Sequence, residues 1–405
     1  MNSNFDVIIV GSGPGGAFLG YLLAKKGIKV AVLEKNTSLE RDFRGETIAP
    51  GSVYLLKKLG ILDDIPEESY LKVRNLLMFD KNSKLLSLQF KNFKHPQKFG
   101  IDIPQPTVLN AIINKSLQYD NYTYLSGTKC YDLVENDLGQ VIGVKCKTSD
   151  GKSFTLKSSL VVGADGRFSK VRDLSKLPFT KTEYDRDLIW FKVPRPKSWT
   201  DANIIKVEKN DHLIILPTHP DLLRIGTYIQ NNGWTEARNQ GLNDFKKKVI
   251  QLEPSLEHEI NTHISSWKDT TLLKIFSTYS PNWSRDGLIL IGDAAHTLSP
   301  ILGQGVNVAI QDSYSLSTYI IRAINRRKSK ESVVKKIELI DFEKNRKNEV
   351  SYIKSFQDKQ EKSLAATSNI SCLLRKYKMK LINKHPFKYY IMSKLQYGYL
   401  YREKS

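Results

Sequence analysis

Along the first part of the chain, short apolar runs that end in glycine alternate with stretches of helical period. Residues 7–10 are β-branched and wholly apolar, which predicts a strand buried on both faces of a parallel sheet. Gly11 closes that run, and from Ala17 through Leu19, Leu22 and Leu23 to Ala24 the apolar positions follow one helix face. A second strand is predicted at residues 29–33 and a helix at 53–59. A strand pair at 76–90 turns at Lys81, Asn82 and Ser83, and an extended, Pro-bounded segment leads into an amphipathic helix within 101–117. A meander at 130–135, 141–148 and 153–156 then delivers the chain to another buried strand at 160–162.

The pattern changes at 184–279, which reads as all-β with one helix at 243–252. Its strands are predicted at 187–193, 204–207, 212–216 and 223–229, with 271–276 leading back. A last buried strand at 288–291 precedes a helix at 306–320. The expectation is an α/β fold: a Rossmann-like nucleotide-binding domain, an inserted antiparallel β-sheet as substrate domain, and a helical C-terminal tail. In residues, the nucleotide domain takes 1–75, 101–180 and 281–325, the substrate domain 76–100 and 181–280, and the tail 326–405.

Chemistry enters at the glycines. Gly11, Gly13 and Gly16 have the G-x-G-x-x-G spacing between a strand and a helix, and the next strand ends at Glu34, whose carboxylate can bind a ribose. The first glycine permits the tight turn, the second lets a pyrophosphate approach the backbone, and the third lets the helix pack closely. This is a dinucleotide site, open at this point to NAD or FAD. Two further strand ends carry carboxylates: Asp165 with Gly166 in GADGRFSKVR, and Asp293 in GDAAHTLSPILGQGVN. The turn Gly303–Gln304–Gly305 opens the helix that starts at Val306, whose amide-rich end suits a heterocycle that gains negative charge on reduction. Flavin gains such charge and nicotinamide does not. Arg44, in the polar loop 42–50, and Gln105 can reach the cofactor or substrate. Trp190, Phe191 and Tyr228 either line a cavity under the inserted sheet or belong to its core.

Three motifs in this order and spacing resemble the FAD-dependent aromatic hydroxylases, the group A flavoprotein monooxygenases built like p-hydroxybenzoate hydroxylase, over about residues 5–320. The resemblance implies that Gly11, Gly13, Pro14, Gly15, Gly16, Glu34 and Lys35 hold the ADP half of FAD. It further implies that Arg44 and Gln105 approach the pyrophosphate and ribitol, that Asp165 and Gly166 serve both FAD and NAD(P)H, and that Asp293 binds the ribitol. Pro300 then lies near the reactive ring edge, beside a substrate pocket that includes Trp190 and Tyr228, and Gly303, Gly305, Val306 and Asn307 line the pyrimidine end. The implied reaction uses NAD(P)H to reduce the flavin and dioxygen to hydroxylate a small aromatic or polyketide-like molecule. No side chain is nominated as a catalytic acid or nucleophile.

The alternatives are a flavin-dependent halogenase and an isoprenoid- or quinone-related flavin reductase loosely attached to a membrane. Halogenases of this fold resemble one another in a W-x-W-x-I-P stretch, whereas residues 212–217 read HLIILP here and lack both tryptophans. The reductases' cysteine–glycine signature after Glu34 is also missing.

Charge changes the picture only at the end of the chain. Residues 321–405 hold 22 Lys+Arg against 8 Asp+Glu, which leaves +14 of the total +20 in the last fifth. The basic residues alternate with acids at helical spacing and no nucleic-acid recognition motif accompanies them, so a solvated helical face is expected before a nucleic-acid partner. Weak contact with an anionic membrane surface is the second reading. Cys130, Cys146 and Cys372 show no metal or disulfide spacing. With no signal peptide and no run long enough to span a bilayer, the expected location is the cytoplasm, peripheral to the inner membrane face if the tail binds there. No metal is expected.

Overall fold

In the computed structural model, which describes residues 4–40, 46–327, 329 and 332–402, the first apolar run forms the strand Asn4–Val10. It lies at the centre of the main sheet, parallel to Val30–Leu33 on one side and to Ser153–Gly163 on the other, with Val7 opposite Val30 and Leu160. Tyr122–Leu125 and Leu288–Leu290 extend the sheet in parallel on its two sides, and Ser284–Arg285 adds a short antiparallel edge. Val7, Ile8 and Ile9 are fully buried, as the uninterrupted apolar run requires of a strand covered on both faces.

The strands expected at 153–156 and 160–162 are one strand, Ser153–Gly163. Its first half pairs antiparallel with Val141–Thr148 and its second half parallel with Asn4–Val10. Ser158 and Ser159 look like a break in the sequence but are buried, and the Ser158 hydroxyl donates to the Leu160 carbonyl at 3.0 Å. Local hydrogen bonding lets polar residues continue the strand.

The inserted sheet has seven strands in the order Thr270–Leu273, Arg186–Pro194, Leu222–Gln230, Asp211–Thr218, Asn203–Glu208, Asn75–Asp80 and Ser83–Gln89. All pairs are antiparallel except Asn203–Glu208 with Asn75–Asp80, which run parallel. The period of two separates the faces. Ile189, Phe191, Val193, Ile215 and Ile225 pack with Phe245, Val249 and Ile260 beneath the helices Leu242–Leu252 and Glu257–His263. Leu188, Trp190 and Tyr228 gather on the other side with Ile275. Three helices, including Trp234–Gln240, stand where one was expected, because the two extra helices span seven residues each and are too short to show a period.

The C-terminal region folds back onto the body. The 29-residue helix Lys336–Leu364 buries Leu339, Phe342, Arg346, Val350, Ile353, Gln357, Glu361 and Leu364 along one side. Glu343 is buried there too, so four of the nine buried residues are polar and the sequence shows only a faint apolar stripe, while Lys344, Lys359 and Lys362 lie exposed on the solvated side. The helix Asn369–Lys384 runs along the edge strand Ser83–Gln89, where Asn383 Oδ1 accepts the Ser87 amide at 2.9 Å. In the final helix, Phe387–Tyr397, Tyr397 is fully buried, stacks on His95 at 4.3 Å and donates to the Gln97 carbonyl at 2.6 Å. Among the described residues no helix is long and apolar enough to cross a membrane.

Candidate active site at three strand ends

The glycine loop divides its residues between packing and access. Gly11 adopts φ +102°, and a Cβ there would lie 2.5 Å from the Ala164 carbonyl oxygen. A Cβ on Gly16 would lie 1.9 Å from the Gly11 carbonyl oxygen. Gly15 is pressed against Ala309 of the helix Gln304–Asn325, 3.3 Å from where its Cβ would sit. Gly13 is different: a Cβ there would meet nothing within 4 Å. The helix Pro14–Ala24 starts at this open point without a side-chain cap and without an acidic residue in its first turn. Its leading amides and positive dipole end are therefore available to an anion.

Glu34 is buried at the end of the second strand. One carboxylate oxygen accepts the Ser12 amide at 3.2 Å and the Ser12 hydroxyl at 3.0 Å, and the other accepts the Asn36 amide at 3.1 Å. Lys35 is exposed, and Arg44 lies outside the described residues.

At the second strand end, Asp165 accepts from the Ser169 hydroxyl and from the Val171 amide at 3.1 Å, so it also caps the start of the helix Lys170–Ser175. Burial raises its carboxyl above the ordinary range, against the opposing pull of those hydrogen bonds. Gly166 follows at φ +85° with open space where a Cβ would be. Arg172 ties this end to the third: it donates to the Ala294 carbonyl at 3.2 Å and feels the charges of both Asp165 and Asp293.

At the third end, a Cβ on Gly305 would lie 3.8 Å from Asp293 Oδ1. The turn before the long helix passes through two left-handed residues, Leu302 at φ 63° and Gly303 at φ 59°. A leucine there is strained, which marks a turn fixed by its surroundings. Asn307 supplies one restraint, accepting the Ala49 amide at 2.8 Å and donating to the Gly303 carbonyl at 2.9 Å. Gln357 of the C-terminal helix supplies another, donating to the carbonyls of Ser299 and Ile301 at 2.9 and 2.8 Å, on either side of Pro300. The long helix also begins without a side-chain cap or an acidic first turn. Pro14, Gln105 and Val306 line one cleft together with Ile48 and Ile103. Gln105 is the first residue of its helix, Gln105–Ser116.

Behind the third end, Asp312 is a buried hub that the sequence reading missed. It accepts the Gly292 amide at 2.9 Å and Arg346 Nε at 2.8 Å, and lies 2.7 Å from His296 Nε2. His296 and Arg346 hold its carboxyl below the usual range despite full burial.

A second polar cluster, also missed, joins the body to the inner face of the inserted sheet. Glu46 pairs with Lys192 at 2.7 Å and accepts the Thr218 hydroxyl at 2.9 Å. Nearby, the Thr47 hydroxyl donates to Asp102, and Arg224 lies over the Trp190 ring at 4.1 Å within the field of Glu46 and Asp102. Burial pushes the Asp102 carboxyl up to about 7, with Thr47 and Arg224 opposing and Glu46 adding. Among the described residues Asp102 Oδ2, Arg224 Nε and Trp190 Nε1 are buried without a protein partner. The usable signal was period: Lys192 and Arg224 share a face with Trp190 and Tyr228 by alternation. Tyr228 is buried beneath Arg186, whose guanidinium lies 4.3 Å from its ring, and Phe191 belongs to the opposite, helix-covered face.

The site thus has an open glycine, two uncapped helix starts and carboxylates at three adjoining strand ends. That donor set fits a long dinucleotide whose phosphates meet amides and whose hydroxyls meet carboxylates.

Residues 4–333 match a family described as "FAD binding domain". The chain is 29% identical over 395 residues to 6-methylpretetramide 4-monooxygenase of Streptomyces rimosus, covering 97% of this chain and 92% of that one. It is 26% identical over 317 residues to squalene epoxidase 4 of Arabidopsis thaliana, covering 76% of this chain but only 60% of that protein. The fold is shared with the crystal structure of p-nitrophenol 4-monooxygenase from Pseudomonas putida, at TM-score 0.81 and 17% identity over 97% of each chain.

Proposed function

Because the chain belongs to the FAD-binding family of the aromatic hydroxylases, an FAD-dependent class of monooxygenases, we propose that it uses NAD(P)H and dioxygen to hydroxylate a small polycyclic aromatic or polyketide-like molecule. The observation that carries this reading is the conjunction of the three-ended site with the near full-length similarity to 6-methylpretetramide 4-monooxygenase.

In this reading Gly11, Gly13, Pro14 and Gly16 form the pyrophosphate loop, with Gly13 giving the approach and Gly15 setting the helix packing behind it. Glu34, backed by Ser12, takes the adenosine ribose, with Lys35 next to it in the chain. Gln105, Asp165, Gly166 and Asp293 take the middle of the cofactor, and Gly303, Gly305, Val306 and Asn307 the pyrimidine end of the ring. When bound, FAD supplies the hydride acceptor and the oxygen-activating centre. The chain supplies position and dryness. Gln357 fixes the Pro300 turn on the substrate side, and the Glu46–Lys192–Thr218 contacts close the seam between body and sheet against water.

The substrate pocket then lies between Pro300 and the sheet face that carries Trp190 and Tyr228. Arg224 Nε and Trp190 Nε1 offer donors and Asp102 an acceptor, or a donor when protonated, to a substrate rich in phenol, enol or amide groups. A buried site with unsatisfied polar atoms favours such ligands over plain hydrocarbons.

The test is reconstitution with FAD, then a screen for NADH and NADPH oxidation stimulated by hydroxylated polycyclic aromatics. Mass analysis should find a product that has gained one oxygen atom. A colourless protein that refuses FAD would sink the cofactor assignment, and stimulated NAD(P)H oxidation without any oxygenated product would replace hydroxylation with simple flavin reduction.

A further inference from the structure

The helix Asn369–Lys384 has an apolar stripe on the wrong side. Ile370, Leu373, Leu374, Tyr377 and Leu381 are each between 55% and 73% exposed. Their spacing of three and four residues places them on one arc of about 100°. The opposite side holds the attachments to the body: Arg375 donates to the carbonyls of Ser363 and Lys209 at 2.9 and 2.7 Å, and Asn383 pairs with Ser87. The stripe therefore points outward because the other face is already committed to the edge of the inserted sheet.

Charge identifies what covers it. On the helical wheel Lys378 borders the stripe on one side and Lys380 on the other, and Lys384 ends the stripe at the helix's C-terminal turn. All three lysines are exposed. Residues 362–402 contain nine Lys+Arg and no Asp or Glu at all. Beyond the turn at His385 and Pro386, Phe387 and Tyr390 are also exposed, with their rings 5.3 Å apart. Long lysine stems can lie along apolar surface while their charges reach upward to phosphates, and an aromatic ring suits the boundary between chains and headgroups. Two copies of so uniformly positive a face repel one another, and nucleic acid offers no apolar layer for the five-residue stripe.

We propose that this helix is an in-plane anchor that lays the Ile370–Leu381 stripe into the headgroup boundary of an anionic bilayer, with Lys378, Lys380 and Lys384 meeting lipid phosphates. The anchor is a surface of the folded protein, independent of what the flavin site does.

The full-length FAD-loaded protein is mixed with sucrose-loaded vesicles of phosphatidylcholine alone, or with an equal share of phosphatidylglycerol, and sedimented. Partition into the anionic vesicles should be about tenfold stronger or more and should weaken with salt. The double substitution Leu374→Glu and Leu381→Glu should lower it about tenfold while flavin absorbance and Tm stay at wild-type values. Should that variant lose flavin, Lys378→Gln with Lys380→Gln decides, with about a tenfold loss on anionic vesicles expected. Equal, weak sedimentation with both vesicle types overturns the proposal, as does undiminished binding by folded variants. So does a lipid-free dimer that the glutamates dissociate, which would mean that a second copy covers the stripe.

Discussion

A methyl group separates the two jobs that glycine performs in the Gly11–Gly16 loop. Gly13 has φ −65°, ordinary for alanine, and open space around it, so Gly13→Ala should fold with a Tm close to wild type. Its FAD affinity should nevertheless fall by about tenfold or more, as the methyl occupies the phosphate approach. Gly16→Ala places a Cβ against the Gly11 carbonyl and should lower soluble yield before any affinity can be measured. Equal behaviour of the two variants in a flavin fluorescence titration would show that the opening at Gly13 is not the ligand's. Asp102 gives a second test, in pH. Its carboxyl stands at about 7 in the folded protein against an ordinary 3.8, so between those values the folded state keeps a proton that the unfolded chain has released. That contribution is complete below about pH 4 and is lost as pH rises toward about 7. Tm should therefore decline from about pH 4 to about pH 7, and Asp102→Asn should flatten the decline. The Gly13 position could be read from spacing. The Asp102 position could not, because nothing in IDIP shows that Arg224 and Glu46, far away in sequence, arrive beside it.

At the scale of elements, the C-terminal helix Lys336–Leu364 works as a clamp. Glu361 accepts the Ser299 hydroxyl at 2.6 Å and pairs with Arg186 of the inserted sheet at 2.7 Å. One carboxylate thereby braces the Pro300 turn and the inserted sheet together. Glu361→Gln leaves a buried guanidinium without its counter-charge, a change that costs about 3–5 kcal/mol when a pair is fully buried. A lowered Tm is expected, together with, for the proposed hydroxylation, more NAD(P)H consumed per product formed, since the turn and the sheet lose a common support. An unchanged Tm and an unchanged ratio would remove the clamp from the account. Local pattern made the strand–glycine–helix units legible because each carries its own period and stop signal. The docked side of this helix was not read because Glu343, Arg346, Gln357 and Glu361 interrupt its apolar positions, and their salt bridges and amide–carbonyl bonds add no hydrophobic signal to the period.

At the scale of the whole molecule, the tail completes the core. Arg346 reaches Asp312, the hub under the Gly292 turn, and Leu339, Phe342 and Leu395 join the same apolar cluster as the central strand. Tyr397 fills the space against Gly51, where a Cβ would lie 2.6 Å from its Cα. Truncation after residue 325 exposes that surface and strands a buried aspartate, so the shortened chain should be recovered in the insoluble fraction. A soluble, yellow, truncated protein would show that the FAD-binding body folds alone.

The strands, the glycine turn, the acidic strand end and the three motifs were determined by sequence, because short-range sterics and periodic burial act within a few residues. The joining of those strand ends, the seam between Glu46 and Lys192, and the docking of the tail were decided only by tertiary structure. Each depends on groups distant along the chain meeting in a medium of low polarity, where a partner's position sets the energy and composition does not.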